Sequence, residues 1–306
     1  MTIVTRGTEL SLVTMIEERV RRDRLRLRGR EWMANATEDE LEQAVGTWYR
    51  LAAGKEPDFS NPSTFNERIQ WLKAHDLDPR KATYSDKVGV RDHVASVVGE
   101  DVLLEQYGVW ERAEDVDFEG IARPFMFKPN HTSGDRLFVD DSVDVREARK
   151  KAKKWLKEDF SAVCIERHYA FIPPKVFAEE YLDDIVFEYQ AWCFKGEIAF
   201  IAAIVEPHGV NEKQFFTTEW EREPFVSSKP IYEGIVERPE RLDDILDYSK
   251  RLADDFSHVR VDWYWSKSKG LKFSEMTFAP AAGNIGWYPE EYNEKLAHLI
   301  EIPGLS

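Results

Sequence analysis

The feature that most constrains this chain is a predicted β-hairpin near its end. Residues 259–265 and 271–278 are rich in aromatic and β-branched residues, and the short polar segment between them ends in glycine. This pattern is typical of two antiparallel strands joined by a turn. A sheet built on such a hairpin needs further strands and helices to cover its apolar side, so the hairpin favours a fold that contains antiparallel sheets.

Four polar residues share one predicted face of this hairpin. Because alternate residues of a strand share a face, Arg260 and Asp262 point the same way, as do Glu275 and Thr277. Acids in an apolar hairpin cost free energy unless a cation or hydrogen bonds satisfy them. Carboxylates on a rigid sheet suit Mg²⁺, which usually takes one or two of them plus substrate phosphates. A solvated outer face with a cross-strand ion pair would explain the pattern equally well.

The composition limits the classes of partner. The 306 residues include 42 Lys and Arg against 57 Asp and Glu, a formal charge of −15. Such a surface repels phosphate backbones, so we expect no general binding of nucleic acid. Cys164 and Cys193 lie in apolar surroundings. They predict reduced thiols rather than a disulfide framework, which favours the cytoplasm.

We expect no membrane span, because no run reaches the roughly 18 apolar residues that a span needs. The first residues also lack the core of a signal peptide. One local exception to the acidity is a cluster of seven arginines between Arg19 and Arg30. It predicts either an amphipathic helix in peripheral contact with a membrane or an acidic partner, or a solvated helix face, which is the usual behaviour of charge runs.

The order of the predicted elements gives the fold class. Helices are predicted over residues 9–34, 37–53, 64–71, 84–98, 145–159, 239–256 and 289–300. Strands are predicted over residues 103–107, 125–128, 175–182, 186–194 and 198–205, and an irregular segment over residues 207–228. Helices come first, and antiparallel sheets with helices packed against them follow, which predicts an α+β fold.

Residues 125–139 predict a strand, a loop of small residues and a second strand. Lys128 ends an apolar strand, where an ammonium group needs an anionic partner. The loop contains Ser133 and Gly134, and its backbone amides could approach a phosphate closely. Neither a Walker A sequence nor G-x-G-x-x-G before a helix is present. An ordinary hairpin turn would explain the loop as well.

Carboxylates also lie on two other predicted strands. Glu179 and Glu180 are neighbours at a strand end and face opposite sides, so only one can point into a pocket. Glu188 adds an acid on the next strand, and charges that keep edge strands soluble would explain all three. The seven histidines show no ligand spacing, so we expect no zinc site.

Short motifs follow one another along much of this chain. They are Phe65-Asn66-Glu67-Arg68, Ser85-Asp86-Lys87 with Val90-Arg91, Phe127-Lys128-Pro129-Asn130-His131, Ala178-Glu179-Glu180, Cys193-Phe194-Lys195-Gly196, Arg260-Val261-Asp262 and Glu275-Met276-Thr277-Phe278. Each motif is weak alone, but through their order and spacing the chain resembles the TupA-like branch of the ATP-grasp superfamily. The resemblance runs from about position 63 to position 300.

The resemblance implies an α+β ATP-grasp fold, in which two α+β subdomains clamp Mg-ATP between antiparallel sheets. It implies four segments along the chain. They are an N-terminal helical extension (1–62), a region that precedes the grasp (63–123), a small subdomain with the phosphate loop (124–182) and a C-terminal subdomain with the metal site (183–306).

The resemblance also implies which residues bind ATP. Lys87 and Lys128 match lysines that contact its phosphates and base. The loop from His131 to Asp135 matches the segment that covers the phosphates, and the hinge from Glu179 to Leu182 matches the one that receives adenine and ribose. The implied cofactor-binding residues are Lys87, Lys128, His131, Ser133, Gly134, Glu179, Glu180, Tyr181, Leu182 and Glu188.

The resemblance implies that residues of the hairpin bind the metal and act in phosphoryl transfer. Asp262 and Glu275, together with Thr277, match the positions that hold Mg²⁺. Arg260 matches the residue that neutralises the transferring phosphoryl group, so Arg260 and Lys128 are the implied catalytic residues.

The sequence departs from the family pattern at several positions. Asp135 replaces a glycine of the loop, which stiffens the loop and adds a negative charge near a phosphate. Gln190 stands where relatives commonly carry lysine, and residues 279–284 replace the usual Pro-Gly-Ser-Gly. Thr277 stands where the wider superfamily often has asparagine, although threonine is usual in this branch. We interpret these changes as specialisation, because the acids and both lysines remain.

The implied function is an ATP-dependent carboxylate–amine ligase that forms an amide through an acylphosphate. Its partners would be a small-molecule or saccharide carboxylate and an amine, in the synthesis of a cell-surface polysaccharide or a secondary metabolite. The expected acceptor pocket includes Arg167, His168, Tyr169 and Asn284. Three alternatives remain: a kinase on the same fold, a nucleotide-binding scaffold without activity, and a glycosyltransferase that would use the acids of residues 115–117.

Overall fold

The computed structural model describes residues 29–205, 211–227 and 230–305. Residues 29–35 are helical (α1), and α2 spans Glu38–Ala53. The predicted cap of α2 is confirmed, since Thr37 and Glu40 form a capping box. The part of the first predicted helix before position 29, with most of the arginine cluster, lies outside the described residues. Arg30 donates from Nη1 to the carbonyl of Ile172 at 2.9 Å.

The helical region continues with three short helices. Helix α3 spans Phe65–His75, four residues beyond its predicted end, and α4 and α5 span Arg80–Ser85 and Val90–Val98. The single helix predicted over residues 84–98 is therefore wrong. The break follows from Asp86, whose Oδ1 accepts the amide of Val88 at 2.9 Å and so competes with the helical hydrogen bonds.

The first sheet has four antiparallel strands in the order β1-β4-β2-β3. The strands are β1 (Gln106–Trp110), β2 (Phe125–Pro129), β3 (Leu137–Val139) and β4 (Val176–Glu180). Helix α6 (Val145–Trp155) covers one face, where Phe127 and Trp155 are buried together. The strand predicted over residues 103–107 in fact begins at Gln106, after a 3-10 turn at Glu100–Val102. The proposed division into four segments stays a prediction.

The second sheet has five antiparallel strands in the order β7-β6-β5-β8-β9. The strands are β5 (Ile185–Phe194), β6 (Glu197–Val205), β7 (Glu212–Phe216), β8 (Val259–Ser266) and β9 (Gly270–Thr277). The predicted hairpin is confirmed as β8 and β9. Strand β7 lies inside the segment predicted to be irregular. Four of its five residues are buried, so it lacks the alternation by which a half-exposed strand is recognised.

The two faces of the second sheet lie in different surroundings. Tyr189, Ala191 and Val261 point into a core with α5 and with α7 (Leu242–Ala253). The opposite face carries an aromatic cluster around Trp192, and this same face continues into the polar residues of the hairpin. The sheet therefore positions polar side chains on one face because its other face is fixed by a large apolar core.

The end of the chain is less regular than predicted. Helix α8 spans only Tyr292–Lys295, and a 3-10 turn follows at Ala297–Leu299, so the continuous helix over residues 289–300 is wrong. The amide of Ile300 bonds to the carbonyl of Ala297, and this tighter winding brings Ile300 into the core. In the described part of the chain, no helix is both long and apolar enough to cross a membrane.

Candidate active site

A cleft of about 670 Å³ lies between the two sheets. One wall is formed by β2 and β4 with the loop that follows β2, and the other by β5, β8 and β9. Most of the residues predicted to bind the nucleotide line it. They are Lys87, Lys128, Ser133, Gly134, Glu179, Glu180, Tyr181, Leu182 and Glu188. Of the residues predicted for the metal and for catalysis on the hairpin, Glu275 lines the cleft, whereas Arg260, Asp262 and Thr277 do not.

Lys128 and Glu179 form a buried ion pair on the wall made by β2 and β4. The Nζ atom of Lys128 lies 2.5 Å from Oε1 of Glu179. Burial alone lowers the pKa of Lys128, but the charges of Glu179, Tyr264 and Glu275 outweigh it and leave the pKa above its usual value. Lys128 is therefore a permanent cation inside the cleft, where it can contact a phosphate.

Lys87 connects the helical region to both walls of the cleft. It lies in the turn between α4 and α5, and its amide bonds to the carbonyl of Asn130 at 3.1 Å. Its Nζ donates to the carbonyl of Thr132 at 2.8 Å and lies 3.3 Å from Oε2 of Glu275. Burial raises the pKa of Glu275, but Lys87 and Arg260 outweigh that effect and hold it below its usual value.

The polar face predicted for the hairpin is confirmed. Arg260 pairs with Thr277 and Asp262 with Glu275 across β8 and β9. The next pair joins Trp263 to Phe273, so the strand β9 has one extra residue beside the two acids. Such bulges occur often next to functional sites, because they redirect side chains.

Arg260 is bonded to each polar neighbour on this face. Its Nε donates to Oδ1 of Asp262 at 2.7 Å, and its Nη2 lies 2.5 Å from Oδ2. The same Nη2 lies 3.3 Å from the hydroxyl of Thr277 and 3.6 Å from Oε1 of Glu275. Burial raises the pKa of Asp262, and Arg260 counteracts that rise. The arginine therefore occupies the position between two acids that a metal ion would also favour.

The two acids fit a magnesium ion that is shared with a nucleotide. Among the described residues, no group of three or more His, Cys, Asp or Glu could hold a metal by itself. Mg²⁺ however needs only one or two carboxylates when phosphates complete its shell. Asp262 and Glu275 face each other on a rigid sheet, and Thr277 donates to Glu275 at 3.3 Å. Their assignment as metal ligands stays a prediction.

Gln190 joins the acids of β5 and β8. Its Nε2 donates to Oε1 of Glu188 at 2.7 Å and to Oδ2 of Asp262 at 3.3 Å. The amide therefore links two carboxylates that would otherwise repel each other, although it cannot supply the positive charge that a lysine would. Its Oε1 is buried and has no hydrogen-bond partner among the described residues.

The loop after β2 is anchored at both ends. Oδ1 of Asp135 accepts the indole N–H of Trp155 at 3.0 Å, which fixes the loop to α6. His131 is fully buried, and its ring nitrogens contact Oδ1 of Asn130 and the carbonyl of Glu158. The side chain of His131 therefore holds the loop in place and is not part of the cleft lining. Gly134 has a φ of +81°, a conformation that favours glycine at the exposed tip.

The hinge residues that follow have separate partners. Oε1 of Glu180 lies 2.6 Å from Nζ of Lys269 in the turn of the hairpin. Tyr181 packs on Phe138 with ring centroids 4.5 Å apart, and Leu182 is buried. Glu179 and Glu180 thus pair with different lysines, but both line the cleft, so the prediction that only one of them could point into a pocket is wrong. Glu180 is the last residue of β4, and the cleft continues along the hinge beyond it.

The sequence analysis gave no role to three residues in or next to the cleft. Asn130 is fully buried and joins Asp86, Pro173 and Lys175 through its side chain, which is a long-range role without a local signal. Arg91 lines the cleft and donates to the carbonyl of Leu104 at 2.6 Å. Tyr264 lines it too, and its position two residues after Asp262 could have revealed it.

The expected acceptor residues do not all lie together. Arg167 and His168 line a second cavity of about 280 Å³, and Tyr169 is buried beside them. Asn284 lines neither cavity and instead donates to the carbonyl of Ala52 at 3.2 Å.

The acids that a glycosyltransferase would need lie on the surface outside the cleft. Asp115 lies 3.7 Å from Arg112, and Asp117 accepts the amide of Gly120 in a turn. Both are exposed, and neither lines a cavity described here.

Comparison with solved structures gives matches at low identity, with TM-scores below 0.5. N5-carboxyaminoimidazole synthetase from Staphylococcus aureus has 13% identity and a TM-score of 0.42, with 72% of this chain and 52% of that one covered. N5-carboxyaminoimidazole synthase from Aspergillus clavatus, in complex with ADP and 5-aminoimidazole ribonucleotide, has 14% identity and a TM-score of 0.43, with 74% of this chain and 54% of that one covered. D-alanine–D-alanine ligase from Bacillus anthracis, complexed with ATP, has 14% identity and a TM-score of 0.43, with 78% of this chain and 68% of that one covered. This chain thus spans between about half and two thirds of these proteins.

Comparison with family models gives a match over most of the chain. No curated protein matches the sequence. The model of the family described as TupA-like ATPgrasp matches residues 67–301, which include both sheets and every residue that lines the cleft. The chain belongs to the TupA-like ATP-grasp family.

Proposed function

We propose that this protein is an ATP-dependent ligase that joins a carboxylate to an amine. The observation that carries the proposal is the meeting of cations and acids from both sheets in one cleft. Lys128 comes from the first sheet, Lys87 from the turn before it, and Glu275 from the second sheet. ATP would lie between the sheets, with its base at the hinge and its phosphates toward Glu275 and Asp262.

A carboxylate needs activation before it can form an amide, because its leaving group would be oxide. Transfer of the γ-phosphoryl group of ATP to the carboxylate gives an acylphosphate, whose phosphate leaves readily. Lys87, Lys128 and Arg260 would position the phosphates and cancel charge on the phosphoryl oxygens. When bound, magnesium would supply further neutralisation, held by Asp262 and Glu275 with Thr277 beside them.

The second step needs a dry site. An amine attacks the acyl carbon, and phosphate leaves with the electron pair of the broken carbon–oxygen bond. Water would compete for the same carbon, so the loop with Ser133 and Gly134 would exclude it by closing over the phosphates. Asp135 ties that loop to Trp155, so closure would have to keep or replace this bond.

The substrates proposed are a small-molecule or saccharide carboxylate and an amine such as an amino acid. Family context suggests the synthesis of a cell-surface polysaccharide, and a secondary metabolite is the second possibility. We propose the cytoplasm as the compartment, since the reaction consumes ATP.

The kinase alternative shares the first step and differs in the acceptor. An ATP-dependent kinase would release ADP with one substrate, whereas a ligase requires both an acid and an amine. The requirement for two substrates therefore separates them. A scaffold without activity would bind ATP and release no ADP with any pair.

The first experiment measures the melting temperature with ATP and with UDP-sugars, each with and without Mg²⁺. A ligand at 100 times its dissociation constant stabilises the folded state by about 2.7 kcal/mol, which gives a clear shift. We expect a magnesium-dependent shift with ATP that Asp262→Asn loses. Asp117→Asn, a change to a surface acid of the same type, should keep it.

Either outcome of this experiment has a defined meaning. A shift with ATP that depends on Mg²⁺ and Asp262 justifies a screen of acid and amine pairs for release of ADP. A shift with a UDP-sugar alone, lost in Asp117→Asn, would overturn the ligase and support the glycosyltransferase.

A further inference from the structure

The second cavity, of about 280 Å³, lies between α3, α4 and the 3-10 helix Arg167–Phe171. Its walls are partly apolar, with Leu72, Phe171 and Phe278 among the lining residues. Charged groups also line it, which is costly for a cavity unless they are satisfied by one another or by a ligand.

The two lysines of the cavity already have partners. Nζ of Lys73 donates to Oε1 of Gln70 at 2.9 Å and to the carbonyl of Ala282 at 3.2 Å. Nζ of Lys81 lies 2.8 Å from Oδ2 of Asp76 and donates to the carbonyl of the same residue at 3.0 Å. Both lysines therefore have hydrogen-bond acceptors, but those of Lys73 are neutral oxygens, and the charge of Glu166 stabilises its ammonium group.

Glu166 lacks such partners. It is 7% exposed and lines the cavity, yet its carboxylate accepts no hydrogen bond from the described residues. Nε2 of His168 lies 3.8 Å from Oε2 of Glu166, and this nitrogen is buried without a hydrogen-bond partner among the described residues. Burial and the two lysines lower the pKa of His168 to about 3, so its ring is neutral.

We infer that this cavity receives the amine substrate, with its ammonium group bonded to Glu166. The inference rests on the proposed ligase and adds a site to it. A buried carboxylate without a donor is satisfied best by a cation that brings several N–H groups, and an ammonium brings three. The neutral ring of His168 can accept one of these hydrogen bonds, and the apolar walls would contact the carbon chain of the amine.

The cavity lies next to the metal end of the cleft. Phe278 and Ala279 line it and directly follow Thr277 of β9. The ring of His168 lies 5.9 Å from that of Phe278. Tyr169 is buried between these groups: it packs on the ring of His168, with ring centroids 4.4 Å apart, and lines neither the cavity nor the cleft.

The size of the cavity limits the amine. At about 30 Å³ per water molecule, 280 Å³ corresponds to roughly nine waters. A small amine or amino acid fits this space, and a polymer segment does not. The larger, more open cleft would then take the carboxylate substrate together with ATP.

Glu166 can also prepare the amine for attack. An ammonium ion has no free electron pair, so it must lose one proton, which Glu166 takes. The neutral amine then attacks the acyl carbon, phosphate leaves with the electrons of the broken carbon–oxygen bond, and the nitrogen loses a second proton to solvent. Burial raises the pKa of Glu166 to about 7, and this supports a role as proton acceptor near neutral pH.

The test uses three probes of similar shape and different charge: n-butylammonium, butyrate and n-butanol. Their dissociation constants are measured by calorimetry with the wild-type protein, Glu166→Gln, Ala82→Leu and the surface control Glu237→Gln. Ala82 lines the cavity, so the larger side chain fills it without changing Glu166. Binding of Mg-ATP is measured for every variant, since it reports the cleft and the fold independently.

We expect butylammonium to bind wild type and Glu237→Gln alike, and at least tenfold more weakly to both cavity variants, with Mg-ATP binding unchanged. Preferential binding of butyrate would overturn the inference, because the lysines would then select an acid. So would equal binding of butylammonium to Glu166→Gln, or no binding of it to wild type. If the wild-type protein does not bind Mg-ATP, that result would instead overturn the proposed function.

Discussion

Arg260 holds Asp262 by two hydrogen bonds, from Nε to Oδ1 at 2.7 Å and from Nη2 to Oδ2 at 2.5 Å. Both oxygens of the acid proposed to bind magnesium are therefore occupied by a residue proposed to stabilise phosphoryl transfer. Metal and arginine compete for the same carboxylate, so binding of Mg-ATP would turn Arg260 from Asp262 toward the phosphates. The ion pair would keep two buried charges compensated in the absence of substrate.

This relationship predicts the effect of Arg260→Lys. Lysine keeps the charge but cannot make the paired hydrogen bonds of a guanidinium group. We expect release of ADP to fall by roughly 100-fold, because one donor to the transferring group is worth about that much, with a much smaller effect on Mg-ATP affinity. Steady-state kinetics and calorimetry measure the two effects.

The control for this change is Arg241→Lys, at an exposed arginine paired with Asp244. It should leave ADP release unchanged. Equal loss of Mg-ATP affinity and of ADP release in Arg260→Lys would show that Arg260 serves ground-state binding instead.

Replacement of Asp135 should have opposite effects on the free energy of unfolding and on nucleotide affinity. Asp135→Gly removes the acceptor of the buried Trp155 indole, so we expect the free energy of unfolding to fall by about 1–3 kcal/mol. It also removes a negative charge from the cleft, so Mg-ATP should bind more tightly. Urea unfolding and calorimetry measure the two effects.

Asp135→Asn separates the charge from the hydrogen bond, since asparagine keeps the acceptor and loses the charge. It should gain nucleotide affinity without the loss of stability. If both variants bind Mg-ATP as wild type does, the charge of Asp135 has no influence on the phosphates.

The hairpin could be predicted because a strand has a fixed period of two. That period alone puts Arg260 and Asp262 on one face, and pairing then brings Glu275 beside them. The capping box of Thr37 could be predicted for a similar reason, since its hydrogen bonds join residues three positions apart.

The rest depends on contacts between distant parts of the chain. Asn130 bonds to Asp86 and Lys175, each more than 40 positions away. Glu166 is only one residue before the predicted acceptor residues, but its lack of a partner depends on how α3 and α4 pack around it. Sequence periodicity describes single elements and does not report such packing.

The ion pairs of Lys128 and Lys269 should contribute differently to the free energy of unfolding, because they differ in burial. Both lie about 2.5 Å from a glutamate of β4, but Lys128 is largely buried and Lys269 is about half exposed. We expect Lys128→Met to lower the free energy of unfolding by roughly 3 kcal/mol, because it leaves Glu179 buried without its cation. Lys269→Met should cost less than about 1 kcal/mol, since solvent screens its pair with Glu180.

Urea unfolding of the two methionine variants measures this contrast. The double variant Lys128→Met with Glu179→Gln should recover part of the loss, because no unpaired charge remains. Equal costs for the two single variants would show that the Lys128 pair is as well hydrated as the surface pair.

Glu166 predicts a pH dependence of stability. Burial raises its pKa from the ordinary 4.5 to about 7, against the opposing charges of Lys73 and Lys81. His168 beside it is neutral in this range, as is the phenol of Tyr169. Between pH 4.5 and 7 the folded state thus binds more protons at this position than the unfolded state does, so its contribution to stability is present below pH 4.5 and is lost as the pH rises through 7.

The comparison that isolates this group is wild type against Glu166→Gln, which cannot ionise. As the pH rises from 4.5 to 7, the free energy of unfolding of wild type should fall relative to the variant by roughly 2–3 kcal/mol, at about 1.4 kcal/mol for each unit of pKa difference. Urea unfolding of both proteins across this range measures the difference. Parallel curves would mean that Glu166 keeps an ordinary pKa, and that its carboxylate is already satisfied before any amine binds.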